Sequence, residues 1–169
     1  MKYKVIRDSR EQQGWDFSPS TSCLGTEVRT IATGDYTIEG YEGVLAIERK
    51  GTLGEFSSNI VQKRFENEMV RLEEYTYPFI ILEFELSDVI NFPVGSGIPK
   101  SKWASLKVSK WFILKRIVEL QIKYKTKIIF AGKYGKEIAA SIFKRVLENA
   151  KESRPEDEGT GEIGELIPW

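Results

Sequence analysis

The sequence predicts an α/β domain, a central mixed β-sheet flanked by helices. Three observations carry this. Short β-branched or apolar runs of strand length recur from residue 2 to residue 132. Longer stretches with apolar residues at helical spacing separate the later ones. No internal repeat and no linker-like composition interrupts the first 151 residues. Strands that alternate with helices fit a sheet covered by helices.

In chain order, residues 2–7 (KYKVIR) alternate as a strand, and 12–25 are rich in Gly, Ser, Thr and Pro and read as a loop. Residues 26–32 (TEVRTIA) form a second strand. Residues 35–39 and 44–50 flank the turn GYEG and read as a hairpin, which completes a β-meander. A long helix is predicted over 55–75, with Phe56, Ile60, Phe65, Met69 and Leu72 inward. Pro78 precedes a buried strand, FIILEFE, at 79–85, and the Gly/Pro-rich stretch 87–101 is a loop. A second long helix runs over 103–124, KIIFAG at 127–132 is a short strand, and a third helix covers 135–150. These elements make one domain, residues 1–151. Residues 152–169 (ESRPEDEGTGEIGELIPW) read as a flexible acidic tail whose Ile167-Pro168-Trp169 end suits docking to a partner protein.

Composition narrows the chemistry. With 169 residues and 41% hydrophobic content the chain can bury a core. No apolar run approaches the ~20 residues of a membrane span, and no signal-peptide pattern opens the chain, so a soluble cytoplasmic protein is expected. Histidine is absent and Cys23 is the single cysteine. A Ser-His-Asp triad, a Cys-His pair and a zinc site of histidines or cysteines are therefore excluded. A metal site would consist of carboxylates, whose hard oxygens select Mg²⁺ or Mn²⁺.

The net charge of zero hides a strong asymmetry. Residues 1–99 carry net −6, residues 100–151 net +11 and residues 152–169 net −5. The segment 100–127 holds nine basic residues against Glu119 alone. Clustered lysines of that density suit a polyanion, although a solvated helix face has the same composition. Trp103 and Trp111 within it are expected in the core or an interface.

The hairpin holds the most informative pattern. If the turn is Gly40 to Gly43, antiparallel pairing sets Thr37 across from Ala46 and Asp35 across from Glu48. Like charges in that position destabilise a sheet unless a cation joins them. Alternation puts Glu48 and Lys50 on one face and Leu45 and Ile47 on the other. The first strand ends in Asp8-Ser9-Arg10-Glu11, and the helix after Gly51 and Gly54 has N-terminal N–H groups that could face a phosphate. Carboxylates and a lysine at sheet ends suit metal-assisted phosphodiester hydrolysis; an exposed hairpin with solvated charges is the plainer reading.

Gly34-Asp35 with Glu48-Arg49-Lys50 resembles the GD…ERK signature of the XPF-type structure-specific endonucleases, within the restriction-endonuclease-like, PD-(D/E)XK group. Asp8-Ser9-Arg10-Glu11 resembles the D-x-R-E that ends that family's first strand. The following helix, with Arg64 and Arg71, and the strand FIILEFE resemble it too, and the resemblance spans about residues 3–150. It implies a Mg²⁺- or Mn²⁺-dependent endodeoxyribonuclease acting on flaps, forks or junctions in repair, recombination or replication. Asp35 and Glu48 would be metal ligands, Lys50 the catalytic lysine and Asp8 a third acidic member. Arg10 and Arg49 would contact phosphate or brace the carboxylates, although the pleat turns Arg49 away from the metal face. The resemblance also implies a homodimer.

The chain departs from the family's pattern in two respects. The usual aspartate four residues after the lysine is Gly54 here, so Glu55 either substitutes as a metal ligand or is an ordinary first-turn acid. There is no room for a tandem helix-hairpin-helix module, so a stand-alone, phage-like nuclease domain is expected. Lys100, Lys102, Lys107 and Lys110, together with Arg10, are then the DNA-binding candidates. The alternative is a catalytically silent DNA-binding or scaffold protein of the same fold.

Overall fold

The computed structural model describes residues 2–152, and the expected acidic tail lies outside the described residues. Six strands form one sheet in the order β2-β1-β3-β4-β5-β6. They are β1 (Tyr3–Asp8), β2 (Cys23–Arg29), β3 (Tyr36–Ile38), β4 (Leu45–Lys50), β5 (Tyr77–Leu82) and β6 (Lys127–Phe130). β1 and β3, and β3 and β4, are antiparallel; β1–β2, β4–β5 and β5–β6 are parallel. The mixed sheet flanked by helices is the class that the sequence predicts.

The helices are α1 (Leu53–Asn59), α2 (Lys63–Leu72), α3 (Leu86–Ile90), α4 (Lys110–Lys123) and α5 (Gly135–Glu152). Each face of the sheet has its own core. On one side Ala46, Ile80, Leu82 and Ile128 pack with α1, α2, α3 and α4. On the other, Val5, Tyr36, Ile38, Leu45, Ile47 and Ile81 pack with Phe143 and Val146 of α5. No helix among the described residues is long and apolar enough to cross a membrane.

Four expectations are corrected. The first four strands are not a meander, because β2 lies parallel to β1 at the sheet edge. A parallel partner needs a crossover, and the irregular segment 9–22 supplies it. Its Phe17 is buried against Phe143 (ring centroids 5.5 Å) and Tyr36 (6.2 Å), which ties the segment down. The single helix predicted over 55–75 is two, α1 and α2, with a break at residues 60–62. The run Ser57-Ser58-Asn59 has weak helix propensity. The bend keeps Phe56 and Ile60 in the same core as Phe65 and Met69.

The helix predicted over 103–124 begins only at Lys110, where the Ser109 side chain accepts the Phe112 N–H as an N-cap. A 3₁₀ turn (Lys100–Ser105) precedes it, and α3 occupies part of the predicted loop 87–101. Trp103 is half-buried and donates to the Ile98 carbonyl oxygen (2.9 Å), whereas Trp111 is 66% exposed and outside the core.

A candidate active site at the strand ends

β3 and β4 pair with Tyr36 across from Ile47. That register carries Asp35 to the position opposite Glu48, as the hairpin arithmetic requires. Gly34 allows the approach. Its φ of +81° is unfavourable for other residues, and a Cβ there would sit 3.0 Å from the Ile47 carbonyl oxygen. Asp35 N–H donates to that same oxygen (2.8 Å). The Arg49 N–H donates to Asp35 Oδ2 (2.7 Å), and Asp8 N–H donates to the Asp35 carbonyl oxygen (2.8 Å). The ends of β1, β3 and β4 are thus locked together by main-chain bonds.

Above these ends lies a pocket of about 280 Å³ whose lining includes Asp8, Arg10, Glu11, Asp35 and Glu48. Gly34 and Thr33 form part of its wall, and α2 closes it with Arg64, Glu68 and Arg71. Those three stand at i, i+4 and i+7 and share one helix face. In the sequence the two arginines stand out without a role, and Glu68 does not stand out at all. The helical spacing around Glu68 was legible; its destination depends on the bend before α2.

The electrostatics follow from burial and crowding. Burial pushes the Asp35 carboxyl up to about 6, against the Arg49 N–H bond, which pulls it down. Burial, then the neighbouring Asp35 charge, pushes Glu48 up to about 8. Lys50 is 3% exposed, and its Nζ donates to Glu48 Oε1 (2.7 Å) and forms an ion pair with Glu68 Oε1 (3.1 Å). These two carboxylates outweigh the desolvation of its ammonium and hold it in the charged form.

Asp8 is 1% exposed but is not a free ligand. Its Oδ1 accepts from Arg10 N–H (2.7 Å) and Nε (2.9 Å), its Oδ2 from Arg10 Nη2 (2.5 Å). The hydrogen-bonded guanidinium holds this carboxyl below the usual carboxylate range. Arg10 Nη2 also donates to the Ile31 carbonyl oxygen (2.8 Å), so Asp8 orients Arg10 on the rim of the pocket. Asp8 thus lines the same pocket as Asp35 and Glu48, with its carboxylate engaged by Arg10.

Arg49 points to the opposite face of the sheet, as its pleat position requires. There it pairs with Glu83 and Glu11 and lies over the Trp15 ring, 5.6 Å from the centroid.

Glu55 stands apart from this pocket. It is exposed in the first turn of α1 and lines a separate groove between α1 and residues 96–108. Gly54 explains why no acid stands four residues after Lys50. Its N–H donates to the Ser96 carbonyl oxygen (3.0 Å), and a Cβ would lie 2.5 Å from that oxygen. The start of α1 offers little to a phosphate, since the Glu55 N–H is held by Thr52 Oγ1 (3.1 Å). Lys102 lines the same groove, and Lys100 and Lys107 are exposed nearby in sequence. Lys110 lies over the Trp111 ring, 5.5 Å from the centroid. None of these four lysines lines the carboxylate pocket.

Among the described residues no group of three or more acidic or cysteine side chains is arranged to hold a metal. The pair Asp35 and Glu48 nonetheless fits a hard divalent ion. Both are half-buried beside each other, and loss of solvent raises both carboxyls even with Lys50 close by, a penalty that a divalent cation would offset. Mg²⁺ typically takes one or two carboxylates and completes its shell with water and phosphate oxygens.

The description "ERCC4 domain" matches residues 7–143. Solved structures similar to this chain include XPF from Aeropyrum pernix in complex with DNA, at 19% identity and TM-score 0.55, covering 93% of this chain and 69% of that one. XPF from Aeropyrum pernix alone matches at 20% identity and TM-score 0.56, covering 88% and 69%. No curated protein matches the chain by sequence. With a match over most of its length, and with GD and ERK at the paired strand ends, the chain belongs to the ERCC4 domain family of XPF-type nucleases.

Proposed function

We propose that this chain is a divalent-metal-dependent endodeoxyribonuclease acting on branched DNA. The observation that carries the reading is the half-buried carboxylate pair Asp35 and Glu48 in a pocket also lined by Arg10, Arg64 and Arg71, with the buried, charged Lys50 bonded to Glu48 behind it. Asp35 and Glu48 would hold Mg²⁺ or Mn²⁺. Such an ion polarises a phosphodiester and lowers the pKa of an attacking water. Lys50 stabilises charge that develops on the phosphorus-bound oxygens, and the three arginines grip phosphates at the mouth. Water attacks in line and no covalent enzyme intermediate forms. Asp8 keeps the Arg10 guanidinium aimed at the rim.

Lys100, Lys102, Lys107 and Lys110 supply a second cationic tract for the DNA backbone. Residues 1–151 form the nuclease domain, and the protein works in the compartment that holds DNA. The apolar groove between β5 and α5, lined by Tyr77, Phe79, Ile138 and Ile142, is the surface offered for a homodimer. A partner docking through the tail belongs to the same reading. The displacement of Glu55 from the pocket favours one alternative, a silent DNA-binding protein with the same fold.

End-labelled flap, fork, four-way junction, linear duplex and single-stranded DNA distinguish these readings, each with Mg²⁺, Mn²⁺ or EDTA. Metal-dependent cutting near branches is expected, with loss in Glu48→Gln and Lys50→Ala. Equal cutting of all substrates would remove branch specificity. Binding without cutting in any metal would establish the silent protein instead.

A further inference from the structure

The side chain that the strands alone do not account for is Glu68. A buried ammonium needs oxygen partners for its donors. Lys50 has two, Glu48 at 2.7 Å and Glu68 at 3.1 Å. Glu48 is also the carboxylate offered to a divalent cation, and a cation there would compete with Lys50 for the same group. Lys50 would then stand beside a second positive charge with one partner left. Glu68 is built for that role. Its side chain is 12% exposed, and its Oε1 is buried and accepts no well-aligned hydrogen bond, so it has acceptor capacity to spare. It arrives from α2, so it stays in place when a group on β4 changes partner. Phe65, Met69 and Leu72 anchor that helix independently, each 2% exposed or less.

We infer that Glu68 is the positioning residue for Lys50: it takes over the ammonium when Glu48 engages the divalent cation. The inference rests on the metal-dependent reading of the pocket but not on cleavage. Without Glu68, Lys50 stays on Glu48 and opposes the cation. Without both Glu68 and Lys50, that opposition is gone.

The test combines Glu68→Gln, Lys50→Ala and the double variant, with Mn²⁺ as the probe. The Mn²⁺ concentration that half-saturates the rise in melting temperature is read first, since it needs no DNA. Glu68→Gln should raise it by about 10-fold, the range for residues that orient a metal site. The double variant should bind Mn²⁺ as well as Lys50→Ala alone, a non-additive pattern. Single-turnover cleavage should show kcat lost in Glu68→Gln with KM for DNA unchanged.

A role in holding α2 alone would instead lower the melting temperature without metal and leave the Mn²⁺ midpoint unmoved, which would overturn the inference. So would additive effects of the two substitutions. If the wild type binds Mn²⁺ with the coupled pattern yet cuts nothing, the nuclease reading fails and this one stands. If Mn²⁺ does not bind the wild type, both fall.

Discussion

At the residue scale, Asp35 and Glu48 are held in a state that destabilises the metal-free protein. Both carboxyls titrate higher in the folded chain than an unfolded carboxyl does. The folded state therefore binds more protons than the unfolded state across that interval. Stability must fall as pH rises from about 4, the unfolded value, through the folded values. Asp35→Asn removes one of the two repelling charges and keeps an oxygen acceptor for the Arg49 N–H. In EDTA at pH 8 this variant should melt above the wild type, by about 2–4 °C for each kcal/mol relieved. At pH 4 the two should coincide. Mn²⁺ should raise the wild type and leave the variant unchanged. A variant that melts lower at both pH values would show that the Asp35 charge is not a burden.

The sequence shows why these two residues meet. A hairpin register conserves the sum of residue numbers, and Gly34 admits the sharp approach of strand ends. Asp8 carried no such signal. Whether a strand-end acid is free or claimed depends on where the Arg10 guanidinium folds back, and that depends on the Ile31 carbonyl oxygen 21 residues away.

At the element scale, α1 and α2 divide the work that a single predicted helix was expected to do. α1 seals against residues 96–108, and α2 delivers Arg64, Glu68 and Arg71 to the pocket. The contact of Gly54 with Ser96 makes a specific prediction. Gly54→Asp restores the acid that the family's pattern has at this position, yet its Cβ would meet the Ser96 carbonyl oxygen. Overpacking of this kind costs about 1–3 kcal/mol. A lowered melting temperature is expected, with no gain in Mn²⁺ affinity. A tighter Mn²⁺ midpoint would mean that residue 54 reaches the site after all.

The break between α1 and α2 was hidden in the sequence because Phe56, Ile60, Phe65, Met69 and Leu72 keep an almost continuous helical spacing. Periodicity reports which residues are buried, and a bend that keeps them all in one core leaves it nearly intact.

At the scale of the whole molecule, the charge asymmetry becomes a statement about DNA. The positive segment 100–127 spans the 3₁₀ turn, α4 and the start of β6, while the carboxylate pocket lies at the ends of β1, β3 and β4. A substrate that touches both must extend beyond the pocket. Replacing Lys100, Lys102, Lys107 and Lys110 with alanine should weaken DNA binding uniformly across sequences. It should also flatten the dependence of log K on log salt by about 0.9 for each phosphate that these lysines neutralise on duplex DNA. Cleavage of bound DNA at saturation should survive. An unchanged salt slope would remove these lysines from the DNA path.

The sequence by itself determined the strand chemistry: the Asp35–Glu48 register, the turn of Arg49 away from the Glu48 face, the exclusion of histidine and cysteine chemistry, and the mixed sheet flanked by helices. These are local. Period-2 alternation and hairpin arithmetic need only neighbouring residues, and composition needs none.

Tertiary structure alone decided that β2 runs parallel to β1, that α2 lays Glu68 against Lys50, that Arg10 claims Asp8, and that Glu55 faces a different groove. Apart from the two-residue Arg10–Asp8 bonds, which the distant Ile31 carbonyl oxygen completes, each of these depends on where a loop or helix returns after ten or more residues. That return is selected by burial of Phe17, Phe56, Phe65 and Phe143 in two separate cores. Local spacing assigns a residue to a face; the packing of distant apolar groups decides what that face meets.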